Sequence, residues 1–182
     1  DSVNAAFHAP GRQVWVVHCA GIVSIATSVS PEVYDVNVTG VHNVLAACRE
    51  QGVDKLVYVS SVHALPVVDG VGRELDAASD FVPELLDGEY ARTKAEATAL
   101  VLEATDVWRV VVFPTGLIGP NDFADTHLTR MVRDAASGVL PVSVGGGYDF
   151  VDVRDVAAGI ISAAEVGKNG RTYLLAGHYV SA

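Results

Sequence analysis

Three short apolar runs, dense in valine, constrain this 182-residue chain more than any other feature. They are Val14–Val17, Lys55–Ser60 and Val107–Phe113, the last closed by Pro114. A strand wet on one face alternates polar with apolar residues. A strand that is apolar throughout is covered on both faces. Between these runs lie helical signals. Ser30-Pro31-Glu32 supplies a cap, a first-position proline and a first-turn acid, and Val36, Val44, Leu45 and Cys48 carry the pattern to a stop at Gly52. Glu89–Thr105, Phe123–Ser137 and Arg154–Glu165 also read as helices, and Leu140–Val144 and Arg171–Leu175 as further strands. Buried strands alternating with helices predict an α/β fold, a doubly wound parallel sheet covered on both faces.

Composition removes several classes of function. Half of the residues are hydrophobic and 19% are charged, which suits a packed core and not a disordered chain. Twelve basic against 22 acidic residues leave a net charge of −10. That balance repels phosphate backbones, so no nucleic acid partner is expected. The longest stretch without a charge, Gln13 to Pro31, holds Gln13, His18, several hydroxyl residues and a proline, so no membrane span is expected. No secretory signal is visible, and Cys19 and Cys48 read as reduced, buried thiols of a cytoplasmic protein. The six histidines show no metal-ligand spacing with cysteines or acids, so no metal is expected. Residues 62–88, with Pro66, Gly70, Gly72, Pro83 and Gly88, read as a loop long enough to have a function.

Four local patterns carry chemistry. In Tyr90-Ala91-Arg92-Thr93-Lys94 the phenol and the ammonium are one helical turn apart, on one face. Free tyrosine titrates near ~10, and a neighbouring cation lowers that value toward a working acid or base. The bland alternative is a surface helix. Ser60-Ser61 ends a buried strand, where open α/β sheets bind ligands. Without the Tyr/Lys pair it would read as a loop cap. His18-Cys19-Ala20-Gly21 ends another strand, and its small residues let a flat ring or a phosphate approach the backbone, or simply make a tight turn. Asn37 lies in an otherwise apolar helical stretch, where it would bridge backbone groups or hold a water, unless it is a surface residue.

In this order the patterns resemble a family. HCAG (18–21), DVNVTG (35–40), YVSS (58–61), YARTK (90–94), PTGLIGP (114–120) and FVDVRDVA (150–157) span nearly the whole chain. Together they are similar to the short-chain dehydrogenase/reductase superfamily, in its extended branch of epimerases, dehydratases and dihydroflavonol-reductase-like enzymes. The resemblance implies a Rossmann-like fold, an NAD or NADP cofactor and a small-molecule substrate. It implies Tyr90 as the acid/base and Lys94 as the residue that holds the nicotinamide ribose and lowers the Tyr90 pKa. Ser61 would bond the substrate oxygen. Ala20, Gly21, Ser60, Pro114, Thr115 and Gly116 would line the cofactor, and Asn37 would be structural. A homodimer through the helices carrying Asn37 and Tyr90 is implied as well.

Departures from the family pattern narrow the reading. Dinucleotide binding calls for a Gly-rich first βα turn and an acid about 20 residues later. Neither is found; Gly70-Val71-Gly72-Arg73-Glu74-Leu75 has two of the three glycines but lies in the long loop. The expected fold is therefore a Rossmann-like core lacking its first βαβ segment, residues 1–120 and 152–177, with an unpaired central sheet edge at the first strand. Residues 121–151 and 178–182 would be part of a substrate cap, and Met131, Val132, Leu140, Val142 and Tyr148 would line an apolar pocket or the core. The Asp-Glu pair that dehydratases of the family carry after the catalytic hydroxyl is here Val62-His63. Gly116 stands where nucleotide-sugar epimerases commonly carry Asn, and Phe113 where they carry Arg. The favoured reading is an oxidoreductase acting on a carbonyl or hydroxyl. A sugar epimerase on the same scaffold and a non-catalytic nucleotide-binding module are the alternatives. Gly145-Gly146-Gly147 reads as a connection near the pocket, and Asp152, Arg154 and Asp155 as a structural ion-pair cluster at a helix start.

Overall fold

A computed structural model describes residues 2–24, 30–66, 81–123, 126–139 and 147–181. The valine runs become three adjacent strands of a four-stranded parallel sheet. Its strands are β1 (Trp15–His18), β2 (Lys55–Val59), β3 (Arg109–Pro114) and β6 (Thr172–Leu175), in the order β1-β2-β3-β6. β3 is buried along its whole length. Each fully buried valine there contributes about 1.5–3 kcal/mol relative to an exposed one.

Helices cover the two faces unequally. On one face lie α3 (Gly40–Gln51) and α4 (Glu89–Glu103), packed over Val16, Leu56, Tyr58, Val111 and Phe113. On the other, α6 (Val153–Val166) packs on β2, β3 and β6 over Val57, Val110 and Val112. Strand β1 corrects the expectation of a strand buried on both faces. Val16 and His18 are buried, whereas Trp15 and Val17 are exposed. The reason is position: β1 is the end strand, paired only with β2 among the described residues. Lys55 covers Trp15 in part, its ammonium 4.6 Å from that ring and 4.9 Å from the Trp108 ring, and it donates to the Ala164 carbonyl at 2.6 Å.

Some elements differ from the expectation. The first helix (Ser2–Phe7), here α1, is too short to show periodicity; it packs on α3, with Asn4 donating to Glu50 at 2.7 Å. The single helix expected from Pro31 to Gly52 is divided into α2 (Pro31–Tyr34), a π-helical turn (Asp35–Thr39) and α3. Gly52 ends it in the left-handed conformation, φ 64°, which glycine adopts without strain. Helix α5 (His127–Ala136) starts four residues later than expected, where Asp122 accepts from the Thr126 backbone and hydroxyl. In the long loop, Val62–Ala64 and Pro83–Leu85 form 3-10 turns. Residues 67–80, with the Gly70–Leu75 motif, and the expected strand Leu140–Val144 lie outside the described residues, as do Gly145 and Gly146.

A second, three-stranded sheet was not expected. It contains β4 (Gly116–Ile118), β5 (Gly147–Asp152) and β7 (His178–Ser181), with β5 parallel to β4 and antiparallel to β7. The chain passes from the first sheet to the second at Thr115, and again between β6 and β7. Asp149 ties both crossings, accepting from the Thr115 hydroxyl at 2.6 Å and the Gly177 N–H at 2.9 Å. Asp152 caps α6 and pairs with Arg154 at 2.5 Å, the structural role expected of that cluster.

Candidate active site

The carboxyl ends of β1, β2 and β3 open toward the first turns of α4, and the expected residues converge there. Glu89 begins α4 and is buried, accepting a hydrogen bond from the Ser30 N–H at the start of α2. That contact joins the two helices on this side of the sheet. One residue on, Tyr90 is partly buried, and a turn later Lys94 is only 4% exposed.

Lys94 donates to the Val59 carbonyl at 2.8 Å and to the Tyr58 hydroxyl at 3.3 Å, with its ammonium 4.8 Å from the Tyr58 ring centre. Burial pulls its pKa down to about 8, with Cys19 acting in the opposite direction. The Tyr90 phenol is held above its ordinary value, first by burial. The lowering contribution comes from the hydrogen bond with Ser61, not from Lys94; Tyr148 raises it further. The lowering of Tyr90 expected from Lys94 is not seen; its ammonium is directed at the end of β2. Ser61 is buried and accepts from the His63 N–H at 3.2 Å.

Ser60 has a different place. Thr98 donates its hydroxyl hydrogen to the Lys94 carbonyl at 2.6 Å, so Ser60, at 2.7 Å, is the donor to Thr98. Ser60 therefore anchors α4 to β2 through its side chain. Asn37, in the π-helical turn, bridges backbone groups as its pattern suggested. It accepts from the Ile22 N–H at 2.8 Å, donates to the Ile22 carbonyl at 3.0 Å and donates to Thr93 at 3.1 Å. π-helical turns recur at functional sites.

Those bonds hold the exposed segment that carries Ala20 and Gly21 beside Lys94. A Cβ built on Gly21 would stand 3.3 Å from the Asn37 Oδ1 and 3.6 Å from the Lys94 ammonium. The missing side chain thus leaves an opening next to a buried cation. Below it His18 stacks on Tyr58, centroids 5.7 Å apart, with a buried and unpartnered Nε2. Burial, then Lys94, lowers its pKa to about 4. Cys19 is exposed, contrary to the buried thiol expected; Cys48 is buried, and burial raises it to about 11.

Pro114, Thr115 and Gly116 end β3 and begin β4. Tyr148 of β5 lies over Gly116, and its hydroxyl is 2.9 Å from His63 Nε2. The His63 ring meets Tyr90 edge-on, centroids 6.1 Å apart. Tyr148 was visible in the sequence only as an apolar candidate, and His63 carried no role. The 85 positions between them leave no spacing pattern to find.

A four-stranded parallel sheet with helices packed on both faces defines an α/β fold of the Rossmann type. Residues 1–176 match the family model of the NAD dependent epimerase/dehydratase family, and the chain belongs to that family. It is 34% identical over 165 residues to sterol demethylase protein B of Methylococcus capsulatus, covering 89% of this chain and 49% of that protein. It is 37% identical over 158 residues to a decarboxylating sterol-4-alpha-carboxylate 3-dehydrogenase of Saccharomyces cerevisiae, covering 82% of this chain and 43% of that protein. The chain spans about half the length of the curated relatives it matches. Among solved structures, gox2253 superposes with a TM-score of 0.79 at 29% identity, over 100% of this chain and 55% of that one. MoeE5, solved with UDP-glucose and NAD, superposes with a TM-score of 0.71 at 26% identity, over 92% and 58%.

Proposed function

We propose that the protein is an NAD(P)-dependent oxidoreductase that interconverts a carbonyl and a hydroxyl on a small organic substrate. One arrangement carries the reading: the Ser61 side chain acts on the Tyr90 phenol at the end of β2 and lowers its pKa, with Lys94 buried one turn further along α4. The relatives whose names give an activity on sterols, a dehydrogenase among them, support it.

The residues present fit a nicotinamide dinucleotide. Gly21 leaves space beside the Lys94 ammonium, where a side chain would fill it. Ala20, Gly21, Lys94 and the turn Pro114-Thr115-Gly116 would hold the cofactor, while Ser60 is occupied with Thr98. When bound, its nicotinamide supplies or accepts the hydride, the hard part of the chemistry. The chain's own residues handle the oxygen. Ser61 orients it, and Tyr90 delivers a proton on reduction or removes one on oxidation. Because burial holds Tyr90 protonated at neutral pH, the resting site is set to donate. Asn37 keeps the Gly21 segment in place.

The epimerase alternative stands on the same residues. It is the weaker reading because Gly116 and Phe113 stand where nucleotide-sugar epimerases commonly carry Asn and Arg. Cofactor retained through purification, with no net redox turnover, would favour it. The proposal also takes the protein to be cytoplasmic, a compartment that suits the free thiol of Cys19, and homodimeric through α3 and α4, which light scattering would test. The decisive experiment is Tyr90→Phe in the full-length protein against a panel of ketones and secondary alcohols. Turnover falling by about 10²-fold or more supports the assignment, and wild-type turnover overturns it.

A further inference from the structure

Three aromatic side chains meet beside Ser61 with no core-packing reason to do so. His63 is exposed, and Tyr90 and Tyr148 are only partly buried. They are nevertheless ordered against one another. The Tyr148 hydroxyl is 2.9 Å from His63 Nε2, the His63 ring is 6.1 Å from Tyr90 and 6.4 Å from Tyr148, and Phe150 extends the row with its ring 5.5 Å from Tyr148. Two features fix this cluster. His63 is held at both ends, its backbone N–H on Ser61 and its ring on Tyr148. Tyr148 occupies the space above Gly116: a Cβ there would stand 2.5 Å from Cε1 and 2.7 Å from Cδ1 of the ring. Ring positions are not flexible tips, so any residue but glycine at 116 displaces Tyr148.

We infer that His63 and Tyr148 form a hydrogen-bonded aromatic clamp that positions a ring-borne carbonyl or hydroxyl against Ser61 and Tyr90. The inference rests on the oxidoreductase reading and deepens it. Aromatic faces bind planar or alicyclic rings by dispersion and by their quadrupole, and bind open polar chains less well. The two clamp residues come from different parts of the molecule, the turn after β2 and strand β5. Ring binding therefore bridges the second sheet to the turn that begins at Ser61. His63 and Tyr148 are positioning residues, since the proton passes through Tyr90.

The test uses the full-length protein and two probe sets, cyclic ketones and alcohols against acyclic ones of similar polarity. Tyr148→Ala and His63→Ala raise KM for the cyclic set by about tenfold and leave the ratio for acyclic substrates within about twofold. Tyr148→Phe keeps the ring but loses the hydrogen bond; it shows a smaller KM change and moves the His63 imidazole NMR resonances, a readout independent of activity. If Tyr148→Ala fails to fold, Tyr148→Phe and its NMR signature still decide. Equal KM changes for both probe sets, or unmoved His63 resonances in Tyr148→Phe, overturn the clamp. Its failure is distinct from that of the oxidoreductase reading, which falls only if Tyr90→Phe keeps full turnover.

Discussion

Asn37 holds both backbone groups of Ile22 with one side chain, accepting its N–H at 2.8 Å and donating to its carbonyl at 3.0 Å. A planar amide carries a donor and an acceptor side by side and can do both at once. The result is a segment after β1 whose shape is set by a residue fifteen positions later. Asn37→Ala removes three hydrogen bonds, including the one to Thr93 of α4. A destabilisation of about 2–3 kcal/mol is expected in urea unfolding, because the Ile22 groups lose their partners in a part-buried place. Cofactor affinity should fall with it.

Gly21→Val addresses the opening directly. Gly21 is exposed, so the change leaves the core intact. Its first added carbon would stand 3.3 Å from the Asn37 Oδ1 and 3.6 Å from the Lys94 ammonium, and the branch beyond it enters the space proposed for the dinucleotide. Fluorescence titration with NADH and NADPH should show at least about tenfold weaker binding.

The pH dependence of turnover follows from Tyr90. Its phenol is raised by burial and lowered by Ser61. A hydrogen bond to the charged form favours that form, so Ser61→Ala must raise the Tyr90 value further. In the proposed oxidation Tyr90 works deprotonated. The alkaline-rising limb of kcat/KM should therefore move to higher pH in Ser61→Ala, besides a fall in kcat of about 10²-fold. An unmoved limb would remove Ser61 from the proton step.

His18 gives a stability signature. Its native pKa is depressed to about 4 from 6.5. Between those values the unfolded chain binds the proton and the native protein does not. Stability thus rises with pH through this window and is lost as pH falls from about 6.5 to 4. His18→Phe keeps the stack on Tyr58 and removes the titration. Denaturant midpoints measured from pH 7 to 4 should fall less steeply in the variant than in the wild type.

Much of the site was legible because its spacing is local. Tyr90 and Lys94 are one helical turn apart, Ser60 and Ser61 end a valine-rich strand, and the 114–116 turn follows another. Periodicity and strand ends record such relations directly. Local spacing does not reveal orientation. Ser60 turned toward Thr98 and Ser61 toward Tyr90, although the two are neighbours with the same side chain. Both partners lie on α4, Thr98 two turns beyond Tyr90, so the path of the chain as it leaves β2 beneath that helix decides which serine meets which. The second sheet was illegible for a similar reason. Its strands β4 and β7 are three and four residues long, too short to show alternation, and they pair with β5 from distant parts of the chain.

The sequence alone determined the parallel valine-rich core, the helices that flank it and the helix carrying Tyr90 and Lys94, because apolar periodicity and capping act over a few residues. Tertiary structure alone decided which neighbours tune that pair. It placed the Lys94 ammonium on Val59 and Tyr58, left the lowering of Tyr90 to Ser61, and brought Tyr148 across 85 residues to His63. Burial and hydrogen-bond partnership are properties of the assembled layers, and they fix the protonation of a group whose identity the sequence already states.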